Sequence, residues 1–589
     1  MRKFHPPSPI PHPLRAIYVF ALSFILCLAA SAQTQFDPED WQSWRDFRGA
    51  RALDASPHDL YAATSGGVLV YDLDRARWAD PEVMGYGSFE AIPIDDAVLI
   101  KFDEKFNYVW VATRQNLLRW SLGLDRWEFA VKNVWPVGER PVNIGLNETS
   151  IFVETIPENI FENTFAAGSP IPDPLWMGYI RRFSGDRFTG NLMSQIKPWD
   201  EDPSIVWRGL RSKVKLRDSD YPPGVLGVEP AGLPMVFAPK PYSWLADGSL
   251  LDFKNRDYPI TDWLIDQRNT FWSTHWGAGV MRTELRGLRG EEMLAGPEGN
   301  DIRVFMPLDR ELWMGGANEG DFMGISVMED YGDDWRVYDR RSDAQIRSTN
   351  VSDMVFIVDH VWIATADGLL SYFPKKRTWK RYDVQDGLPS QRVTALAAQG
   401  ETLWIGTDDG LAVMNTQTNS IDRVANTTFE LAGVTDLVAQ DSVVWVATGL
   451  GLYSVNPDSR DVTSLEMGPG LVANEVTGLS VFGNTLWAAT RDGIMRRSES
   501  GETKSWLAAT WMKKSEPTCI TASDPYIWVG TDGGLFRFEP DREAWEHYTR
   551  RDGLVNDRVL TVREDRGDLW IGTTDGISRF YYSRPGKPR

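Results

Sequence analysis

One nine-residue string, returning at a nearly fixed interval, constrains this chain more than any other feature. LWIGTDDGL occupies 403–411, and VWVATGLGL, LWAATRDGI, IWVGTDGGL and LWIGTTDGI follow at 444–452, 486–494, 527–535 and 569–577. Their central residues, Trp404, Trp445, Trp487, Trp528 and Trp570, are spaced by 41, 42, 41 and 42 positions. Upstream, VWIATADGL around Trp362, LWMGG around Trp313, FWSTHWGAGV around Trp272, VWVAT around Trp110, LYAATSGGV around Tyr61 and IFVET around Phe152 bring the series to eleven copies. A period of this length marks a repeat whose units bury their faces against one another.

Each unit reads as a small antiparallel sheet. An apolar run such as VTALAA (393–398) precedes the motif, the motif alternates as a second strand, and an Asp-Gly turn such as Asp409-Gly410 leads into a third. A W-x-x-aromatic pattern supplies the fourth: Trp335 with Tyr338, Trp379 with Tyr382 and Trp545 with Tyr548, with Trp127 and Phe129 as a variant. Four strands per 40 or so residues is the blade of a β-propeller, and the central tryptophan is expected to be buried between blades. The prediction is an all-β fold of tandem β-propellers with about 11–12 four-stranded blades in total, more than one ring usually holds.

After Trp570 no fourth strand follows, whereas Trp44-Arg45-Asp46-Phe47 near the other end has no blade of its own. The N-terminal strand is therefore expected to complete the last blade, which closes a ring without a disulfide. The cysteine count requires such a device, since only Cys27 and Cys519 are present and Cys27 lies in the leader. That leader has Arg2, Lys3 and Arg15, an apolar run over 16–28, and Ala30-Ser31-Ala32 as a cleavage pattern, so residues 1–32 read as a signal peptide cut between Ala32 and Gln33. The expected location is periplasmic or secreted, with no integral membrane segment after signal removal. Residues 33–350 are assigned to a first propeller and 351–589 to a second.

The chain carries a net charge of −20, and residues 1–32 hold three basic and no acidic side chains, so the remainder carries −23. Such a field disfavours nucleic acid as a partner. Histidine and cysteine spacing offers no metal site, no cofactor is expected, and no nucleophile elbow, phosphate loop or kinase signature occurs.

The rhythm fails over 156–268, a stretch rich in proline and tryptophan that reads as insertions in the first propeller. Of the 26 tryptophans, nine sit at motif centres and six in fourth strands. Eight of the others, Trp120, Trp135, Trp176, Trp199, Trp207, Trp244, Trp263 and Trp276, fall in or beside this stretch. Trp176, Trp207, Trp244 and Trp276 are candidate aromatic faces for a flat ligand or a sugar ring, and the competing reading is a loop-rich satellite core. His275 takes the threonine place of its motif and joins the candidates, against a purely structural role in its blade. A second group comes from propeller geometry, because loops leading into first strands and turns between second and third strands share one face. In DGLPSQRV (386–393), GLVANEV (470–476) and DGLVNDRV (552–559) this singles out Gln391, Arg392, Asn474, Glu475, Asn556, Asp557 and Arg558. The aspartates of the turns themselves, Asp367, Asp409, Asp492 and Asp575, are explained by hairpin chemistry.

The string L-W-I-G-T-x-x-G-L, with Asp386-Gly387-Leu388-Pro389 ahead of Trp404, resembles the two-component-regulator propeller repeat of periplasmic sensor ectodomains in bacterial hybrid histidine kinases. The resemblance is strong over 360–580, moderate over 50–135 and 270–340, and poor over 156–268. It implies paired propellers that sense a ligand, often a glycan fragment. This chain departs from that pattern in lacking a kinase, a receiver and a transmembrane helix. The expected function is an exported ligand- or protein-binding propeller, a sensory or recognition module whose partner is a small molecule, an oligosaccharide or an envelope protein. The alternatives are a secreted carbohydrate-active hydrolase or lyase and an envelope or secretion scaffold.

Overall fold

In the computed structural model, each motif tryptophan is wedged between its own sheet and the next. Trp404 packs with Val434, Leu437, Val444 and Val446 of the following blade, and Trp362 packs with Leu396, Leu403 and Ile405. Trp313, Trp362, Trp404, Trp528 and Trp570 are almost wholly buried, so the repeated position is structural. The structure describes residues 40–583 apart from 88–90, 136–137, 149, 158–178, 185–204, 210–235, 246–247, 287–288, 318–323, 333, 426, 441 and 472–474. The expected signal peptide, Trp176, Trp199 and Asn474 lie outside the described residues, as does most of 156–268.

Among the described residues there are eleven four-stranded antiparallel sheets, as expected, together with a three-stranded one formed by Ser243–Trp244, Leu250–Leu251 and Asp257–Tyr258. The motif threonine fixes the turn that follows it. Thr365, Thr407, Thr448, Thr531 and Thr573 each donate from Oγ1 to the carbonyl of the glycine three residues on, at 2.7–3.0 Å. At Gly410 the turn requires a φ of 136°, which excludes a side chain and explains the Asp-Gly pair.

First strands follow one another as neighbours through Val304–Leu308, Val351–Ile357, Val393–Gln399, Val434–Gln440, Val476–Phe482, Pro517–Ala522 and Val559–Asp565, and the last returns to the first. Those seven sheets form a closed ring. Ile260–Ile265, Ala50–Ala55, Ala97–Asp103 and Glu139–Leu146 are neighbours in a second succession. The 304–338 sheet thus stands in the ring of the C-terminal repeats, and we place the division between rings within 294–303 rather than near 350. Pattern alone could not put it there, because the blade at 304–338 resembles its neighbours on both sides.

The ring closes through the N-terminal strand, with a shift of three residues from the expected pattern. Trp41–Trp44 pairs antiparallel with Gly576–Phe580, Trp41 opposite Phe580 and Trp44 opposite Ile577. In the preceding blade Trp545 lies opposite Phe538 and Tyr548 opposite Leu535, so Trp41-x-x-Trp44 holds the place that Trp44-x-x-Phe47 was expected to hold. Among the described residues no helix is long and apolar enough to cross a membrane.

Candidate functional site

The loops that lead into first strands and the turns between second and third strands meet on one face of the C-terminal ring. Gln391 donates from Nε2 to Asp367 Oδ1 at 2.7 Å, binding one blade to the turn of its neighbour. Arg392 lies 3.8 Å from Asp408 and Glu475 lies 3.1 Å from Arg491, both as half-exposed pairs. Asn556 accepts from Thr574 at 3.4 Å, while Asp557 accepts the Arg550 backbone N–H at 2.7 Å and braces its own loop. Arg558 is exposed beside them. A rim of paired but water-accessible charges can exchange partners with a polar ligand at small cost, since such pairs contribute little individually.

The aromatic candidates are placed differently. His275 is completely buried, with Nε2 at 3.0 Å from Ser273 Oγ and Nδ1 at 3.3 Å from the Tyr258 carbonyl oxygen. Burial pushes its pKa down to about 3 against the Tyr258 hydrogen bond, so it is a neutral structural imidazole. Trp244 packs on it with ring centroids 5.5 Å apart and belongs to a cluster with Tyr242, Leu250 and Tyr258. Trp207 pairs opposite Gly145 on the innermost strand of its sheet and leans on Phe152. Trp120 stacks on Trp127 at 5.4 Å and 7°, and Trp135 donates from Nε1 to the Thr113 carbonyl at 3.0 Å. Trp276 lies beneath a buried charge, the Arg51 guanidinium 4.9 Å above its ring.

Where the rings meet, Arg45 follows the closing strand into the interface. It is 3% exposed and reaches Asp95 of the N-terminal ring at 2.5 Å and Asp575 of the closing blade at 2.7 Å. Arg550, in the loop before the closing blade, meets Asp95 from the other side at 2.7 Å. Burial works to raise the Asp95 pKa, but the two guanidiniums outweigh it and hold it below the usual carboxylate range. Asp575 is therefore more than a turn residue. Farther along the seam, Glu298 in the inter-ring segment receives Arg341 at 3.3 Å and Arg48 at 3.6 Å, and burial still raises it to about 7.

Sequence reasoning missed a belt around the channel of the C-terminal ring. Ser352, Thr394, Thr435, Thr477 and Thr518 each occupy a bulge in a first strand. Each donates its hydroxyl to the carbonyl that opens the next blade's first strand, at 3.0, 2.6, 2.9, 3.2 and 2.7 Å. The signal was present as VSDM, VTAL, VTDL, VTGL and PTCI beginning at 351, 393, 434, 476 and 517. One residue on, Asp353 and Asp436 bridge blades by accepting the N–H groups of Leu396 and Leu479 at 2.7 and 2.6 Å. Depth in the ring raises them to about 6 and about 7, and Cys519, at the same level, to about 12. All three keep part of their surface in contact with water, as channel walls do. Among the described residues no group of three or more His, Cys, Asp or Glu side chains is arranged to hold a metal.

No protein-family model and no curated protein matches the chain. Among solved structures it is similar to PorZ, a bacterial surface component of the type-IX secretion system of Porphyromonas gingivalis, at 14% identity and a TM-score of 0.55 over 92% of this chain and 87% of that one. It is also similar to the extracellular domain of a protein described as a hybrid two component system, BT4673 of B. thetaiotaomicron, at 16% identity and a TM-score of 0.44 over 92% of this chain and 70% of that one. The corresponding domain of BT3049 from the same organism matches at 14% identity and a TM-score of 0.42 over 91% and 82%. At 14% identity, what the chain shares with PorZ is the fold.

Proposed function

We propose that the chain is an exported recognition module, which binds a ligand or a protein partner through the loop face of its paired propellers. The observation that carries this reading is the rim formed by Arg392–Asp408, Glu475–Arg491, Gln391–Asp367 and Arg558, a set of accessible polar groups held on the rigid ends of closely packed strands. Loops on a rigid scaffold can vary in chemistry without disturbing the fold, and preorganised polar groups bind with little ordering cost. Export is supported by the leader over 1–32.

The test is a thermal-shift screen of the purified chain against neutral and acidic oligosaccharides and divalent cations, repeated on Arg392→Ala with Arg558→Ala. A ligand that raises Tm in the parent chain and loses its effect in the double variant carries the reading. A screen in which nothing shifts Tm overturns ligand binding at this face. A second reading, an envelope or secretion scaffold, draws on the likeness to PorZ across most of both chains. For that reading the expected result is a silent screen with a stable co-purifying envelope protein.

A further inference from the structure

The belt position that carries a serine or threonine in five blades of the C-terminal ring carries an arginine in one blade of the N-terminal ring. In that ring Thr261 sits in the bulge of its first strand and donates to the Ala50 carbonyl at 2.9 Å. The next bulge along is Arg51, between Ala50 and Ala52, and its Nη1 donates to the Ala97 carbonyl that opens the following blade, at 3.3 Å. Arg51 thus makes the same blade-to-blade bond with a far longer, charged side chain. A hydroxyl suffices for the bond, so the guanidinium must be accounted for by what surrounds it.

It stands at the mouth. Trp276, in the turn of the preceding blade, lies under the guanidinium, and Asp96, just before the next first strand, receives Nη2 at 2.5 Å. Arg114, in the turn after that strand's partner, shares Asp96 and is 51% exposed. Burial, with a smaller contribution from the like charges of Arg114 and Arg140, holds the Arg51 pKa below the ordinary value in spite of Asp96. Arg51 Nε is a buried donor without an acceptor. Two guanidiniums sharing one carboxylate, with a third close by and a donor unfilled, make a locally positive site in a chain of net charge −20. Guanidinium forks match planar and tetrahedral oxyanions.

We propose that Arg51 and Arg114, at the mouth of the N-terminal ring, bind an oxyanion: a carboxylate or sulfate group, free or borne on a sugar. Trp276 holds the Arg51 fork in place and Asp96 keeps the two cations together until the ligand arrives. This deepens the reading of the chain as a recognition module and rests on it, but it names a face on the other ring from the Arg392 and Arg558 rim.

The experiment compares sodium sulfate with sodium chloride at equal ionic strength, and galacturonic acid with galactose, by thermal shift and titration calorimetry on the full exported chain. The expected result is a rise in Tm and measurable heat with sulfate, with galacturonic acid, or with both, and with neither control; a response to only one of them says whether the anion is taken free or on a sugar. Arg51→Thr restores the residue used elsewhere in the belt, so it should melt near the parent in chloride while losing affinity by about tenfold or more. Arg114→Gln, at an exposed position, should give the same loss and covers the case in which Arg51→Thr fails to fold. Equal responses in parent and variants, or no response to either anion, overturn the proposal. Binding of galactose that both variants keep would overturn it while leaving the recognition module standing.

Discussion

The indole of Trp41 stacks on the ring of Phe580 with centroids 4.3 Å apart and planes 11° from parallel, joining the two ends of the chain in one sheet. Beside it Trp44 is 1% exposed and packs against Trp570 at 5.9 Å. The C-terminal ring is closed by these contacts and by no covalent link. Trp44→Ala should therefore cost about 3–5 kcal/mol, the usual penalty for emptying a buried tryptophan site. It should also speed amide hydrogen exchange over 576–580 ahead of the other blades. Uniform exchange across all seven blades, or an unchanged melt, would count against closure by this strand.

Arg45 connects the closed ring to its neighbour, so Arg45→Met should loosen the rings from each other more than it unfolds either. Breaking a fully buried pair costs about 3–5 kcal/mol. Asp95 and Asp575 are 44% and 38% exposed, so water takes over part of the work of Arg45 and the loss should be smaller. The expected calorimetric trace separates into two transitions where the parent chain shows closer overlap, with new proteolytic cleavage in 294–303. A single transition shifted as a whole would show that the seam does not depend on Arg45.

At the channel, Asp436 accepts from its neighbour Leu437 at 2.8 Å and from Leu479 of the next blade at 2.6 Å. Asn at 436 has one acceptor oxygen and presents an amide donor to the second N–H, so Asp436→Asn at pH 8 should lose about 1–3 kcal/mol. Asp436→Ala should cost less, because Ala395 and Gly478 hold the equivalent place in adjacent blades and channel water can take the freed donors. Melts of the two variants at pH 8 rank them, and an unchanged melt for both would mean that the carboxylate does not bridge the blades.

How much of this could be read in advance depends on the range of the interaction. Blade count and the burial of Trp362, Trp404 and Trp570 follow from a spacing that repeats whatever else varies. The three-residue shift at the ring closure arises because Trp41, Trp44 and Phe47 all fit a W-x-x-aromatic pattern, and only the pairing with Phe580 chooses between them. The Thr435 hydroxyl bond was hidden because V-T-x-L also reads as plain strand alternation. Asp95, Arg45 and Asp575 come from three distant stretches, so nothing local announces their meeting. Of the four tryptophans singled out as candidate binding faces, Trp207 and Trp244 pack within or against sheets, as large aromatic side chains generally do.

Glu82 lies against the neighbouring blade, where its Oε2 accepts from Trp127 Nε1 at 2.8 Å. Burial, opposed by that bond, raises its pKa from 4.5 to about 8. An acid raised on folding favours the folded state in its protonated form. Its contribution is complete below about pH 4.5 and is lost as pH rises through 8. Glu82→Gln retains an acceptor for the indole and cannot ionise, so it should melt above the parent chain at pH 9 and no higher than the parent at pH 5. His275 works in the opposite sense: with its pKa depressed to about 3, its contribution is present above about 6.5 and is lost as pH falls toward 3. The parent chain should thus lose stability on both sides of the neutral range, and in Glu82→Gln only the alkaline limb should flatten. Parallel melting curves for parent and variant from pH 5 to 9 would mean that Glu82 titrates in the folded chain much as it does in the unfolded one.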